Sequence, residues 1–243
     1  MIWRSSFVDA IARAWRRTPL HPQWLLGQER SLSDRIRRIG HGRVLDIGCA
    51  SRWVEDILGA HCEYVGLDSV ATGENLYRTH PDIFGEASCL PFADRSFDYV
   101  LLLDVVEHLY FPREALREAA RVLRPGGTLM ISIPFLYPVH DAPHDFQRYT
   151  EHGIRRELFE AGFRVLDLRP NLTSIESGGL MMTLALGAAA LQCLRKARIQ
   201  IVFVPFLLAP IPVINVGCWL LSRVVPSWAA ITAGYEISAT PHE

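Results

Sequence analysis

One stretch, Val44 to Ser69, restricts what this chain can fold into more than any other. It reads VLDIGCASRWVEDILGAHCEYVGLDS: an apolar strand, a turn of small residues, a helix, and a second apolar strand that ends on an acid. Asp68 follows Asp46 by 22 positions, the interval a βαβ unit needs to carry an acid from one strand end to the next and set it beside a bound ribose. The turn narrows the ligand. A dinucleotide site needs glycine at three places, the last so that the helix packs close to the strand and aims its N-terminus at a pyrophosphate. Those places hold Gly48, Ala50 and Trp53, and an indole at the third disfavours NAD and FAD. A ligand with a ribose and no phosphate tolerates the change.

S-adenosylmethionine (SAM) is the common ligand of that kind, and here the chain resembles the class I, Rossmann-like SAM-dependent methyltransferases of the type 11 kind. Val44, Leu45, Asp46, Ile47, Gly48 and Cys49 match the family's first motif, and Asp68 matches its ribose-binding acid. Ala50 and Arg52 stand where the family usually has glycine; Ala50 is tolerable there with a negative φ, and Arg52 puts a long cation near the cofactor's tail. Three further motifs follow in order within residues 43–135. Gly85-Glu86-Ala87 with Leu90-Pro91-Phe92 resembles the segment whose acid accepts from the adenine amino group, Glu86 replacing aspartate. Ser96 to Asp104 followed by Val105-Val106-Glu107-His108-Leu109 reads as the fourth strand, with its C-terminal end at the ligand crevice. Leu123-Arg124-Pro125-Gly126-Gly127 reads as the turn from a helix into a buried strand, since proline cannot continue a helix and paired glycines permit a tight reversal. The resemblance implies SAM as cofactor, bound by Asp46, Gly48, Ala50, Asp68, Glu86, Ala87 and Asp104.

Composition agrees with one folded enzyme domain: 243 residues that are 49% hydrophobic can bury a full core. A net charge of −1 without a basic cluster interleaved with aromatics argues against nucleic acid as a partner. The five cysteines are dispersed and include no C-x-x-C pair, which points to a reduced, cytoplasmic compartment and away from a disulfide framework or structural zinc.

The loop Pro134 to Thr150 leaves the end of the fifth strand, where open α/β sheets bind ligands. Its Pro-His-Asp-x-x-Arg-Tyr-Thr pattern is similar to that of methyltransferases from bacterial surface-polysaccharide biosynthesis clusters, which implies a sugar or lipid-linked glycan acceptor. Methyl transfer to a hydroxyl asks for alignment behind the methyl carbon and for a base near neutral pH. His144, then His140 and His108, are the candidate catalytic residues, with Asp141 or Asp145 to orient an imidazole. By ligand type His140, His144 and Asp145 could hold a metal; nothing else in the sequence supports one, and none is expected.

Two apolar segments separate the sixth strand, Phe163 to Leu168, from the family-like last strand within Trp228 to Ala239. Gly178 to Leu194 and Ile199 to Ser222 carry no formal charge and flank Arg195, Lys196, Ala197 and Arg198. The second is long enough to span a bilayer, but Pro205, Pro210 and Pro212 fall near its middle and the basic cluster would face the wrong side. Helices lying at the membrane interface are favoured, ahead of an active-site cover or a span. Ile2 to Trp15 reads as a basic amphipathic helix, not a signal peptide, and Gln28 to Ile39 as a lead helix.

The expected architecture is α/β: a Rossmann-like, mostly parallel seven-stranded sheet with helices on both faces and the last strand antiparallel. It divides into N-terminal amphipathic helices over 1–40, a methyltransferase domain over 41–170 and 228–243, and an apolar helical insertion over 171–227. The leading reading is O-methylation of a sugar or lipid-linked glycan, with peripheral contact at the inner face of the cytoplasmic membrane. The alternatives are methylation of a hydrophobic small molecule such as an isoprenoid quinone, or a non-catalytic, membrane-associated relative in which Ala50 and Arg52 weaken SAM binding.

Overall fold

Alternation along the central strands builds the two faces of the sheet. Val44 of β1 (Gly42–Ile47) turns to one face with Leu101 and Met130, while Leu45 and Ile47 turn to the other with Val100, Leu102, Leu129 and Ile131. Strands covered on both faces have no solvent side, so they read as near-continuous apolar runs. The structure is a computed structural model and describes residues 14–28, 31–77, 80–196 and 199–242.

The seven strands run in the order β3-β2-β1-β4-β5-β7-β6. They are β1, β2 (Cys62–Asp68), β3 (Ile83–Phe84), β4 (Phe97–Leu103), β5 (Leu123–Pro134), β6 (Phe163–Pro170) and β7 (Gly234–Pro241). Pairing is parallel from β3 through β5, and β7 lies antiparallel to both β5 and β6. The expected architecture is therefore the observed one. Chain direction across the sheet reverses beside β1, so the loops after β1 and β4 open onto a switch-point crevice.

Helices cover the faces: α1 (Ser31–Arg37), α2 (Trp53–Leu58), α3 (Pro112–Val122) and α4 (Glu151–Glu160). In α3, Pro112 occupies the first turn, where a missing N–H costs nothing, and Ala115, Leu116, Ala119 and Val122 form one buried stripe. Its outer face is charged; Arg113 and Arg121 pair with Glu157 and Glu118. Thr150 caps α4 by accepting from the Gly153 N–H at 3.1 Å.

Boundaries differ from expectation in four places. The lead helix runs from Ser31 to Arg37, and residues 29 and 30 lie outside the described residues. The turn at Pro125-Gly126-Gly127 is a bulge inside β5: Leu123 pairs with Phe97, and pairing resumes at Thr128 with Tyr99. Strand β6 continues to Pro170, and the last strand begins at Gly234, six residues after Trp228.

The described residues form two compact units, one from 31–170 and 234–242 and the other from 14–28 and 171–233. The second holds α5 (Ser174–Lys196), a 3-10 segment (Ile199–Phe203), α6 (Val204–Leu208) and α7 (Pro210–Leu221). The expected break at the prolines is slight. Pro205 and Pro210 sit in the first turns of α6 and α7, and Ala209 between them keeps helical φ −58° and ψ −36°. Polar ties hold this unit to its own N-terminal segment: Thr183 Oγ1 donates to the Pro22 carbonyl at 2.7 Å, and Asn215 Nδ2 donates to those of Pro19 and His21. Gly179 is needed there, because a Cβ would lie 2.6 Å from Cys218 Sγ.

Ser174–Arg195 and Gln200–Leu221 are each long and apolar enough to cross a membrane, and only 11% of the second is buried. Phe203, Phe206, Val213 and Leu220 are all exposed. Of the amphipathic helix expected over Ile2 to Trp15, all but Ala14 and Trp15 lies outside the described residues, as do Ala197 and Arg198 of the basic cluster.

Candidate active site

The carboxyl ends of the parallel strands bring the expected ligand residues to one edge of the sheet. Leaving β1, the chain turns at Gly48, whose φ of 74° suits glycine and whose Cβ would lie 2.4 Å from Val105 Cγ2. Gly48 and Cys49 both donate to the Leu67 carbonyl, and the Ala50 N–H donates to Asp68 Oδ2 at 3.0 Å. Asp68 Oδ1 accepts from the Ser69 N–H at 2.8 Å. The turn and the acid are thus one hydrogen-bonded unit, with Asp68 only 4% exposed at the end of β2.

The negative φ expected of Ala50 is not found. Its φ is 41° and that of Arg52 is 57°, because Ala50 N must reach Asp68 while Arg52 N returns to the Cys49 carbonyl at 2.7 Å. Left-handed backbone at non-glycine residues costs about 1–2 kcal/mol each. Ala50→Gly should therefore raise stability by up to about 1 kcal/mol, the flexibility of glycine offsetting part of the relief; a fall in the denaturant midpoint would contradict that reading. Arg52 is tied down: its guanidinium pairs with Glu55 and Asp82 at 2.8 and 2.9 Å and lies over the Tyr64 ring.

Asp46 is 2% exposed and accepts from Tyr64 Oη at 2.7 Å; burial, which outweighs that hydrogen bond, pushes its carboxyl up to about 7. A carboxyl raised on folding takes up protons in the folded state first, so its contribution to stability is fullest at low pH and declines as pH rises toward 7. Asp46→Asn should remove this part of the pH slope, on the order of a few kcal/mol. Parallel melting curves of both proteins between pH 5 and 8 would refute the assignment.

Beyond β3, the Gly85 N–H donates to the Asp68 carbonyl at 2.9 Å, which brings exposed Glu86 and buried Ala87 to the same edge as Asp68. A residue absent from the sequence reading completes this side: a Cβ on Gly73, in the π-helical segment Val70–Tyr77, would lie 2.9 Å from Asp68 Cβ and Cγ. Beyond β4, Asp104 takes φ 55° and its carboxylate accepts from Ser132 Oγ at 2.7 Å.

The next turn (Val106–His108) and the Pro134–Thr150 loop meet around Glu107. The Phe146 N–H donates to the Glu107 carbonyl at 2.9 Å, and Gln147 Nε2 donates to the carbonyls of Val106 and Leu109. Glu107 is 1% exposed, neither of its carboxylate oxygens has a hydrogen-bond partner, and burial followed by the nearby Asp104 charge pushes it up to about 8. Two imidazoles face it: His108 Nε2 at 3.8 Å and His140 Nε2 at 3.9 Å, their rings edge to face. Asp145 stands behind His140, 3.3 Å from Nδ1, and Arg148 clamps it and holds its carboxyl down at about 2.

Two of the three candidate histidines, His108 and His140, thus converge. The third does not join them: the His144 ring packs toward Phe146, and its contribution is the backbone carbonyl that meets His108 Nδ1 at 2.8 Å. The ligand-type group among the described residues is Glu107, His108 and His140, not His140, His144 and Asp145. In the sequence, Glu107 stands out only as part of the Val105-Val106-Glu107-His108-Leu109 motif. Its place beside a histidine after an acid-ended strand was the available signal.

Residues 24–168 match a family of methyltransferase domains. Among curated proteins, the O-methyltransferase rstn1 of Aspergillus nomiae is 28% identical over 57% of this chain and 71% of its own length. The demethylmenaquinone methyltransferase of Mycolicibacterium paratuberculosis is 35% identical over 52% of this chain, which spans about half (57%) of that relative. Among solved structures, the 4+2 cyclase SpnF shares the fold, with a TM-score of 0.54 and 18% identity over 87% of this chain and 80% of its own.

Proposed function

This chain belongs to the methyltransferase-domain family, and from that premise we propose that it transfers a methyl group from SAM to a hydroxyl oxygen of a lipid-linked acceptor, a glycan intermediate, at the inner face of the cytoplasmic membrane. The observation that carries the lipid-linked part is the exposed apolar stretch Gln200–Leu221. An apolar patch of that kind on a soluble enzyme marks a partner surface or a membrane. The Pro-His-Asp-x-x-Arg-Tyr-Thr loop and the likeness to an O-methyltransferase support a hydroxyl acceptor.

The donor set at the strand ends fits SAM. Asp68, whose carboxylate already orders the first turn, would accept from the ribose hydroxyls, and Glu86 from the adenine amino group. When bound, SAM supplies a methyl group already activated on a sulfonium, so the protein's task is alignment and removal of the hydroxyl proton. The Pro134–Thr150 loop would hold the acceptor beside His108 and His140, whose Nε2 atoms face Glu107 and could take up that proton.

A second reading is favoured by the likeness to a demethylmenaquinone methyltransferase: an isoprenoid quinone acceptor, for which the same apolar surface would serve. Lipid extracts supplied with labelled SAM test both. Label in lipid-linked glycan supports the first reading, label in the quinone fraction replaces it with the second, and label only in water-soluble products removes the lipid from the proposal.

The membrane contact has its own test. The purified protein should sediment with anionic liposomes, less at high salt, and be released by alkaline carbonate. Resistance to carbonate would instead make Gln200–Leu221 a span, and failure to sediment would remove the membrane from the reading.

A further inference from the structure

We propose that Glu107, His108 and His140 form a binding site for one divalent metal ion of the Zn2+ class. Among the described residues, they are the group of His, Cys, Asp or Glu side chains whose ligand atoms all lie within 4.8 Å of one another. The contacts behind the two rings leave Nε2 of each for the ion. Nδ1 of His108 lies 2.8 Å from the His144 carbonyl, which can only accept, so Nδ1 donates there and Nε2 is the ring nitrogen left for a ligand role. Nδ1 of His140 faces two acceptors at 3.3 Å, Asp145 Oδ2 and the Pro138 carbonyl, against one longer approach from Arg148 Nη2 at 3.5 Å. Nε2 is again the nitrogen left for a ligand role. Both Nε2 atoms therefore face the buried Glu107 carboxyl.

The two buried oxygens of Glu107 have no hydrogen-bond partner, and a cation held jointly with the two Nε2 atoms would satisfy them. The spacing agrees. Gaps of 3.8 and 3.9 Å between Nε2 and Oε1 are too long for hydrogen bonds. Two metal–ligand bonds of about 2.0–2.2 Å meeting at an obtuse angle span such a gap. Two imidazoles and one carboxylate suit Zn2+, Fe2+ or Mn2+ better than Mg2+, which prefers oxygen and water. The outer partners also match a metal site, a backbone carbonyl behind one histidine and an Arg-clamped carboxylate behind the other. His140, 28% exposed, leaves a side open to solvent, and a three-ligand zinc site keeps a further position for water or an acceptor oxygen.

Metal binding is measured on the resting full-length protein, with neither methyl donor nor acceptor, so its failure leaves the methyl-transfer reading intact. After treatment with a chelator and dialysis, calorimetric titration with ZnCl2 should show one saturating equivalent. CoCl2 should give visible absorption of a low-coordinate nitrogen and oxygen site. Glu107→Gln and His140→Gln should each weaken Zn2+ binding at least about tenfold, with an unchanged circular dichroism spectrum, while His144→Gln should not. Because His140 lies on a surface loop, its variant remains informative should Glu107→Gln fail to fold. Absence of a saturable equivalent, or affinity unchanged in His140→Gln, would overturn the site.

Discussion

Replacing His140 by alanine is expected to lower the methyl-transfer rate by about 10²–10⁴ while SAM affinity stays within about twofold. Its Nδ1 is backed by Asp145, itself fixed by Arg148, so Nε2 is presented in one orientation toward Glu107. Whether that nitrogen accepts the hydroxyl proton or holds a cation that acidifies the hydroxyl, its loss falls on the transition state and not on donor binding. His144→Ala should cost less than about tenfold, because the group it supplies to His108 is a backbone carbonyl that alanine retains. Single-turnover rates with labelled SAM decide the matter. Equal losses at both positions, or none at His140, would move the chemistry elsewhere.

Asp68→Ala should weaken SAM binding by at least about tenfold and abolish detectable turnover at low SAM. Two charge-assisted hydrogen bonds to ribose hydroxyls are worth roughly 1.5–3 kcal/mol each. The same carboxylate accepts from Ala50 and Ser69, so its removal also frees a turn that holds φ 41° at Ala50 and 57° at Arg52. The second effect makes Asp68→Asn a useful partner, since its amide oxygen keeps one acceptor. Calorimetry that finds the wild-type affinity in a folded Asp68→Ala protein would remove Asp68 from the ribose. Absence of SAM binding by the wild type would favour a non-catalytic relative.

What the chain reveals in one dimension is mostly what strands and their ends reveal. Val44, Leu45 and Ile47 announce a strand buried on both faces, and Asp68 and Asp104 mark strand ends because acids interrupt apolar runs there. Such features depend on period and position alone. The parts that were not legible depend on where a backbone or side chain must reach. Ala50 adopts a positive φ because its N–H is drawn to Asp68 from 18 residues further along. Glu107 becomes a site residue because His140, remote in sequence, folds back over it. Gly73 matters through its closeness to Asp68, which no spacing rule encodes. The prolines of the second apolar segment show the converse: composition suggested a break, but each of Pro205 and Pro210 occupies a first helical turn, where proline is at home.

The place of β7 bears on the order in which this protein is made. Its strand fills the gap between β5 and β6, yet it is the last of the seven along the chain. During synthesis, both of its neighbours and all of the apolar helical residues leave the ribosome before it does. Until Gly234–Pro241 arrives, β5 presents an unpaired edge and β6 has no partner strand, while the apolar stretch Gln200–Leu221 has already been made. Where the proposed membrane contact holds, attachment can therefore precede closure of the sheet.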